Sequence, residues 1–507
     1  MRARPPRLGR ANVVALLAVS SFLALARVVG IALVGLAVLL SLAREAAAYD
    51  FVLTARTVGQ GYQERRYGVG GAAELLSRRR LTQYLSLSVF DLEPAAWRGE
   101  HGDRNVLSFE IGMRFDSDFG TFMTRRPSGL DSIRELAQNQ LDLLYAYLMA
   151  RDVGGHLDLQ LGRQLHYDLV DFYSFDGADV RLHVGSLATV QAFGGTEVRG
   201  ELPLSAPLYE LDGTSAGSQD WATRPEQNEA LRPMMGAAVA IDRASPVTAR
   251  VAYRRVFSST VDAQPGDPGS GVNHETLSFT AEAHWREAVF VTAAARYNLL
   301  VAAMDDEQAV VRLRLGARHL FSAEYSYLAP TFDGDSIWNV FASGAFRDMR
   351  ASYDVDLTTA WRAHVRGFWR QFVNPPETPA ELAAAAPGGD HAYGGNVGVE
   401  VRGPRGRGRV DGYADTGFGG WKIGGDVSGR WVLRPNLIDL EGRLTAVGWR
   451  ADSAPQPRDA FMVGGAIGFV YHLGHKMRVH FLGEDNSGTY YRAQLRGLAV
   501  LEMDVTL

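Results

Sequence analysis

Residues Thr276–Arg286 read TLSFTAEAHWR. Leu277, Phe279, Ala281, Ala283 and Trp285 fall on one face, and Thr276, Ser278, Thr280, Glu282, His284 and Arg286 on the other. Alternation with period two means an extended strand with one apolar and one wet face. The same pattern runs through Val106–Asp116, where Leu107, Phe109, Ile111, Met113 and Phe115 oppose Ser108, Glu110, Gly112, Arg114 and Asp116. It returns at Val311, Leu313 and Leu315 against Arg312, Arg314 and Arg318, and at Trp361, Ala363, Val365 and Trp369 against Arg362, His364, Arg366 and Arg370. At the end of the chain, Leu495, Ala499, Leu501, Met503, Val505 and Leu507 oppose Arg492, Gln494, Arg496, Glu502, Asp504 and Thr506.

A soluble sandwich alternates too, and three features separate the two. The wet face carries full charges at successive positions. The segments run to about ten residues or more, the length a tilted strand needs to cross a bilayer. Tryptophan and tyrosine sit near strand ends, at Trp285, Tyr325, Tyr327, Trp361 and Trp431, as in an interfacial girdle. Past residue 49 no apolar run is long enough for a spanning helix. Only helices and closed barrels satisfy their backbone groups in lipid, so the reading is all-β, a large single-chain antiparallel transmembrane barrel without a plug domain. Counting strands upward from residue 51 gives 22, within a range of 18–22.

Loop lengths provide a second test. Longer polar connections fall near 67–78, 121–139, 201–231, 261–273, 374–390, 415–420, 452–460 and 484–489. Each follows an odd-numbered strand when 336–373 is read as two long strands, as expected if long loops face outward and short turns inward. The long connection 93–105 runs against this. Segment 201–231 is the expected inward-folding loop, and 379–386 a short helix.

Composition hides such a fold, because the two faces cancel. The 507 residues are 46% hydrophobic and 21% charged, with 55 glycines for turns. Cysteine is absent, which excludes disulfides, thiolate metal sites and cysteine nucleophiles. Of 52 basic residues only Lys422 and Lys476 are lysine. The first 48 residues carry Arg2, Arg4, Arg7 and Arg10, then an apolar stretch from Ala11 to Ala43, then Ala46-Ala47-Ala48. This describes a signal peptide over 1–48 with cleavage after Ala48 and a barrel over 49–507. A retained anchor, or a true start near Val28, are the other readings. Removing six arginines and one glutamate with the signal shifts the formal net charge from −5 to −10. That argues against nucleic acid as partner. The expected location is the outer membrane of a Gram-negative cell, with its lipid and the barrel assembly machinery as partners.

On the wet faces, Arg114, Arg181, Arg286, Arg312, Arg314, Arg318, Arg362, Arg366, Arg370 and Arg443 would line the lumen together with Asp179, Glu282 and Glu324. A ring of fixed positive charge selects anions. The competing reading is that these arginines brace the wall against Glu110, Asp158, Asp179, Glu282, Glu324, Asp439 and Glu441. Arg163 shares its face with Leu157, Leu159, Leu161 and Leu165. It lies either at the rim or beside a bulge at Gly162 that turns it inward.

Leu161-Gly162-Arg163-Gln164, followed by Phe175-Asp176-Gly177-Ala178, resembles the alginate-export type of outer-membrane porin, as does the general character of Ser322–Phe341. The resemblance covers a small part of the chain. It implies an export or diffusion barrel with an arginine-bearing lumen, carrying an anionic solute or polysaccharide. Such proteins commonly end in an aromatic residue, where this chain has Leu507. A structural or assembly barrel without channel activity is the second reading, and a rim-active hydrolase the third. For the last, His156 and His166 stand near Asp158 and Asp168, but no serine lies in a recognisable setting, so no catalytic residue is assigned. Asp116-Ser117-Asp118 lacks the spacing of a calcium loop, and no metal or cofactor is assigned.

Overall fold

The computed structural model describes residues 50–67, 73–92, 107–121, 139–198, 232–241, 246–257, 271–329, 345–373, 391–452, 459–474, 476–489 and 491–506. The proposed signal, the loop 201–231, the helix 379–386, Trp338 and Leu507 lie outside them.

The strands are β1 (Phe51–Tyr67), β2 (Ala73–Val89), β3 (Leu107–Thr121), β4 (Asn139–Val153), β5 (Leu157–Tyr167), β6 (Phe172–Val184), β7 (Ala188–Glu197) and β8 (Pro233–Ile241). There follow β9 (Val247–Phe257), β10 (Val272–Trp285), β11 (Val289–Asn298), β12 (Ala303–Leu315), β13 (His319–Leu328), β14 (Ala345–Asp356) and β15 (Trp361–Val373). The last are β16 (His391–Gly403), β17 (Gly406–Gly417), β18 (Gly420–Arg434), β19 (Ile438–Ala451), β20 (Asp459–His472), β21 (Met477–Gly488) and β22 (Tyr491–Thr506). Each strand pairs antiparallel with its neighbour in sequence, and all belong to one 22-stranded sheet. β1 pairs β22 from Val52↔Thr506 to Arg66↔Tyr491, which closes the barrel and removes both edges.

The alternation seen in sequence becomes the two faces of the wall. Leu277 and Phe279 are exposed on the outside, while Thr276 and Ser278 are buried within. The register carries the parity across strands: Glu282 stands opposite Thr248 and Thr292, and Arg312 opposite Phe290 and Ser322. Trp285, Trp361 and Trp431 are all exposed and all stand at the end of the barrel where short turns connect the strands. They form the girdle at that interface. An apolar exterior on a closed barrel makes this an outer-membrane protein by architecture, since only lipid covers such a surface.

The loop scheme holds, with adjustments. Connections 122–138, 198–232, 258–271, 374–390 and 452–458 follow odd-numbered strands, and β14 and β15 are two strands as expected. β14 is described from Ala345, and the part of the expected strand over 336–344 lies outside the described residues. The expected loops at 67–78, 415–420 and 484–489 shrink, because β2 begins at Ala73, β17 and β18 meet across Phe418-Gly419, and β21 runs to Gly488. The connection from Val89 to Leu107 is long at the short-turn end, against the rule. Asp116-Ser117-Asp118 is strand, not loop.

Candidate functional site: the lumen and an inward hairpin

At the top of β5 the wall opens. Pairing between β4 and β5 runs from Val153↔Leu157 to Ala146↔Arg163 and stops, while β4 continues along β3 as far as Asn139. On the other side, β6 joins the β7 ladder only from Phe175↔Glu197 onward. Beyond those points β5 and β6 pair with each other up to Tyr167↔Phe172, and the only further backbone tie to the β7 side among the described residues is the Val198 N–H donating to the Ser174 carbonyl at 2.9 Å. Their connecting turn, 168–171, lies against side chains of β9, β11 and β12. Arg250 Nη1 donates to Asp168 Oδ2 at 3.0 Å, Arg296 Nη1 donates to the Val170 carbonyl, and Gln308 Nε2 donates to the Leu169 carbonyl at 3.4 Å. A turn that starts between β4 and β7 can reach β12 only by folding across the inside of the barrel.

Two glycines permit the bend. Gly162 has φ +125°, and a Cβ there would sit 2.2 Å from the Ala146 carbonyl oxygen. Its cross-strand partner Gly177 is as crowded, with a Cβ 2.1 Å from the Gly194 oxygen. No other residue fits either place. Arg163 is not turned inward. It remains on the outer face, its guanidinium forked onto Asp176 with Nε and Nη2 each 2.8 Å from a carboxylate oxygen. Its Nη1 donates to the Leu143 carbonyl at 3.1 Å, on the length of β4 that β5 has left. The Gly-Arg-Gln and Phe-Asp-Gly segments thus form the hinge and outer clamp of the hairpin.

Inside, the hairpin packs on the wall. Tyr173, Phe175, Phe193, Met234 and Val256 form a buried apolar cluster on the lumen face of β6–β9. His166 stacks on Tyr173 with ring centroids 4.7 Å apart, and the Arg254 guanidinium lies 4.6 Å over the same ring. Burying such side chains contributes about 1.5–3 kcal/mol each, enough to hold a short hairpin against its ordering entropy. The turn is itself braced. Asp168 Oδ1 accepts the backbone N–H groups of Val170 at 3.0 Å and Asp171 at 2.8 Å. Burial raises the Asp168 pKa, and His166 with those two amides outweighs it, leaving the carboxyl below its ordinary value.

From Arg250, which holds the tip, polar contacts continue along the wall. Arg181 donates to Asp179 at 3.1 Å, Gln191 to Asp179 at 2.6 Å, and Arg250 to Gln191 at 3.0 Å. A cavity of about 520 Å³ beneath the tip is lined by His166, Asp168, Arg181, Gln191, Arg250 and Glu282. Two of the sequence-predicted lumen residues, Arg181 and Glu282, therefore sit together here.

The predicted arginines divide into two groups. Arg114 is buried against Asp142 with Nη2 2.5 Å from Oδ2. Arg362 pairs Asp356 at 2.8 Å, Arg370 shares Asp348 with Arg350 at 2.6 and 2.8 Å, and Arg443 pairs Asp426 at 2.6 Å. These brace the wall, as does Arg181. Arg286, Arg312, Arg314, Arg318 and Arg366 are exposed, and none pairs with a carboxylate among the described residues. Arg312 lies 5.7 Å from the Phe290 ring centroid instead.

The carboxylates expected as braces also divide. Asp179 and Asp439 take arginine. Glu110 accepts the Tyr147 hydroxyl, and Asp158 and Glu441 meet His183 and His480. Glu282 and Glu324 form no ion pair among the described residues, which corrects the bracing expected of them. Sequence reading missed Arg250, Arg254 and Arg296, although each stands on the wet face of its strand. The detectable signal was elsewhere: Tyr173, Phe175, Phe193, Met234 and Val256 are apolar residues at lumen parity.

The histidines considered for catalysis serve the fold. His156 holds the Gly154 carbonyl at 2.8 Å within a turn, and His166 is part of the stack on Tyr173. His183 lies between Asp158 and Thr189 at 3.0 and 3.1 Å, but Thr189 is only 5% exposed.

No protein-family model and no curated protein matches the chain. Among solved structures it is similar to the translocation pore of the P pilus usher PapC, at 7% identity and a TM-score of 0.45, covering 90% of this chain and 100% of that one. It is also similar to OccK7 (OpdD) of Pseudomonas aeruginosa, at 8% identity and 0.42, over 90% and 100%. OpdK of Pseudomonas aeruginosa, crystallised with vanillate, gives 9% and 0.40, over 90% and 99%.

Proposed function

We propose that this protein is an outer-membrane channel for anionic solutes, with carboxylated sugars and their polymers as the favoured class. The inward β5–β6 hairpin narrows the passage beside β9–β12. The observation that carries the reading is the run Arg312 and Arg314 on the lumen face of β12, with Arg318 in the turn that follows, all exposed and none held by a carboxylate among the described residues. Arginine stays charged at any physiological pH and offers a planar fork matched to a carboxylate. An unpaired arginine in a water-filled pore concentrates anions and excludes cations. A paired one contributes little net field. Arg366 on β15 belongs to the same unpaired set.

Reversal potentials across a planar bilayer under a potassium chloride gradient test this. Purified barrel is expected to conduct with anion preference. The Arg312→Ala/Arg314→Ala/Arg366→Ala variant is expected to shift the reversal potential toward cations with the barrel still folded. An unmoved reversal potential removes these arginines from the selectivity, and a folded barrel that gives no conductance removes the channel.

A further inference from the structure

Arg250, Arg254 and Arg296 converge on the hairpin tip from two strands, and the tip answers with two carboxylates. Asp168 receives a hydrogen bond from Arg250 at 3.0 Å. Asp171 is only 5% exposed, yet its Oδ1 makes no hydrogen bond; it stands 3.6 Å from Arg254 and 3.7 Å from Arg296. Arg254 is 7% exposed, and its Nε has no hydrogen-bond partner. It also meets His274 Nε2 at 2.7 Å and Glu197 at 3.8 Å, and lies over the Tyr173 ring. Arg296 also holds Asp305 at 2.8 Å. A forked guanidinium–carboxylate pair normally closes to about 2.7–2.9 Å. At Asp171 the attraction is present and the hydrogen bonds are missing, although burial has already removed water. A free carboxylate that reached these guanidinium groups could supply the bonds that Asp171, fixed by its turn, does not. The cavity beneath the tip opens onto the outermost of these pairs, since Arg250 and Asp168 line it, and a solute that parts that pair comes next to Arg254 and Arg296.

The geometry points to a carboxylate-binding site at Arg250, Arg254 and Arg296 whose present ligands are Asp168 and Asp171, making the hairpin tip a latch that a carboxylate-bearing solute displaces. This rests on the reading of the lumen as an anion path, and gives that path a section that responds to its own cargo. Displacement leaves the hairpin held by its apolar cluster and by Gln308 on the Leu169 carbonyl, so the tip loosens without the barrel unfolding.

Because the chain has no cysteine, one introduced thiol reports on the tip alone. Val170 is 6% exposed, so Val170→Cys is shielded while the latch is closed. Its labelling by a maleimide in folded, lipid-embedded barrel is expected to be slow in sodium chloride. In sodium citrate of equal ionic strength it should be about tenfold faster, within the usual range of coupling between two equilibria. In an Asp168→Asn/Asp171→Asn background labelling should be fast in both salts. Should that variant fail the heat-shift test for a folded barrel, Asp171→Asn alone takes its place, because Asp171 contributes charge without a hydrogen bond through Oδ1. Equal rates in citrate and chloride for Val170→Cys overturn the proposal, as does slow labelling in the asparagine background. Conductance is read separately: a barrel that labels as expected but passes no current keeps the latch and loses the transport reading.

Discussion

Arg114→Met is expected to lower the stability of the folded barrel by about 3–5 kcal/mol, the usual cost of stripping one partner from a buried ion pair. Arg114 and Asp142 are 2% exposed apiece, and two guanidinium nitrogens reach one carboxylate oxygen at 2.5 and 3.0 Å. Methionine keeps much of the length of arginine and removes the guanidinium that reaches Asp142 at 2.5 and 3.0 Å. Asp142 sits opposite Arg114 in the β3–β4 ladder, just past the register shift between Gly112 and Met113, so it cannot swing to water without disturbing that irregularity. Replacing both, as Arg114→Met/Asp142→Leu, should recover most of the loss, because a well-packed apolar pair costs far less than one buried charge. Urea unfolding in lipid vesicles, read as the fraction that keeps folded migration on an unheated gel, gives both numbers. A loss under about 1 kcal/mol for Arg114→Met, the range of an exposed pair, would mean that water reaches Asp142.

This pair also shows what could be read from sequence and what could not. The parity of Arg114 was legible, because Leu107, Phe109, Ile111 and Met113 leave it no other face. Its role was not. Whether a lumen arginine braces or stays free depends on the carboxylate opposite, and that is set by register and bulges. The Gly112/Met113 shift, invisible in the residues, brings Asp142 rather than a neighbour to Arg114. Arg370 and Arg366 lie two pleat repeats apart on the same face of β15, yet the first faces Asp348 and the second Ser352. The closed antiparallel barrel and a count of 22, the top of the expected range of 18–22, followed from periodicity and loop lengths, since lipid enforces a strict outer face. The lumen tolerates either polarity. Phe175 and Phe193 on the wet face were therefore not read as a packed inner layer, and the four-residue turn 168–171 was not read as entering the lumen. The glycines at 162 and 177 were noticed, but their need becomes visible only once the ladder to β4 is seen to stop.

Asp176→Leu should cost about 2–4 kcal/mol, the penalty for an arginine facing lipid at mid-depth, because it removes the carboxylate that neutralises Arg163 on the outer face. Depth follows from the strand. Arg163 stands six residues above Leu157 at the short-turn end, about 20 Å along a strand that rises ~3.3 Å per residue. A tilt of about 35–45° makes that roughly 15 Å of height, in the middle of an apolar band about 25 Å tall. Removing the arginine instead gives a different result. Arg163→Leu leaves Asp176, which is half exposed on its side of the pair and which the lipid face penalises less than arginine. It also frees the Leu143 carbonyl that Arg163 caps where β4 has lost its partner. The double variant Arg163→Leu/Asp176→Leu removes both charges but not that orphaned carbonyl. It should recover most, not all, of the Asp176→Leu loss, the remainder being the cost of one unsatisfied backbone acceptor, about 1–3 kcal/mol. Full recovery would mean that the clamp acts only by neutralising charge. No recovery would place Arg163 at a wet rim, and with it the whole depth assignment of the hairpin would fall. A double-mutant cycle in vesicles of two thicknesses decides between these, because only a mid-depth pair makes the Asp176→Leu loss grow as the bilayer thickens.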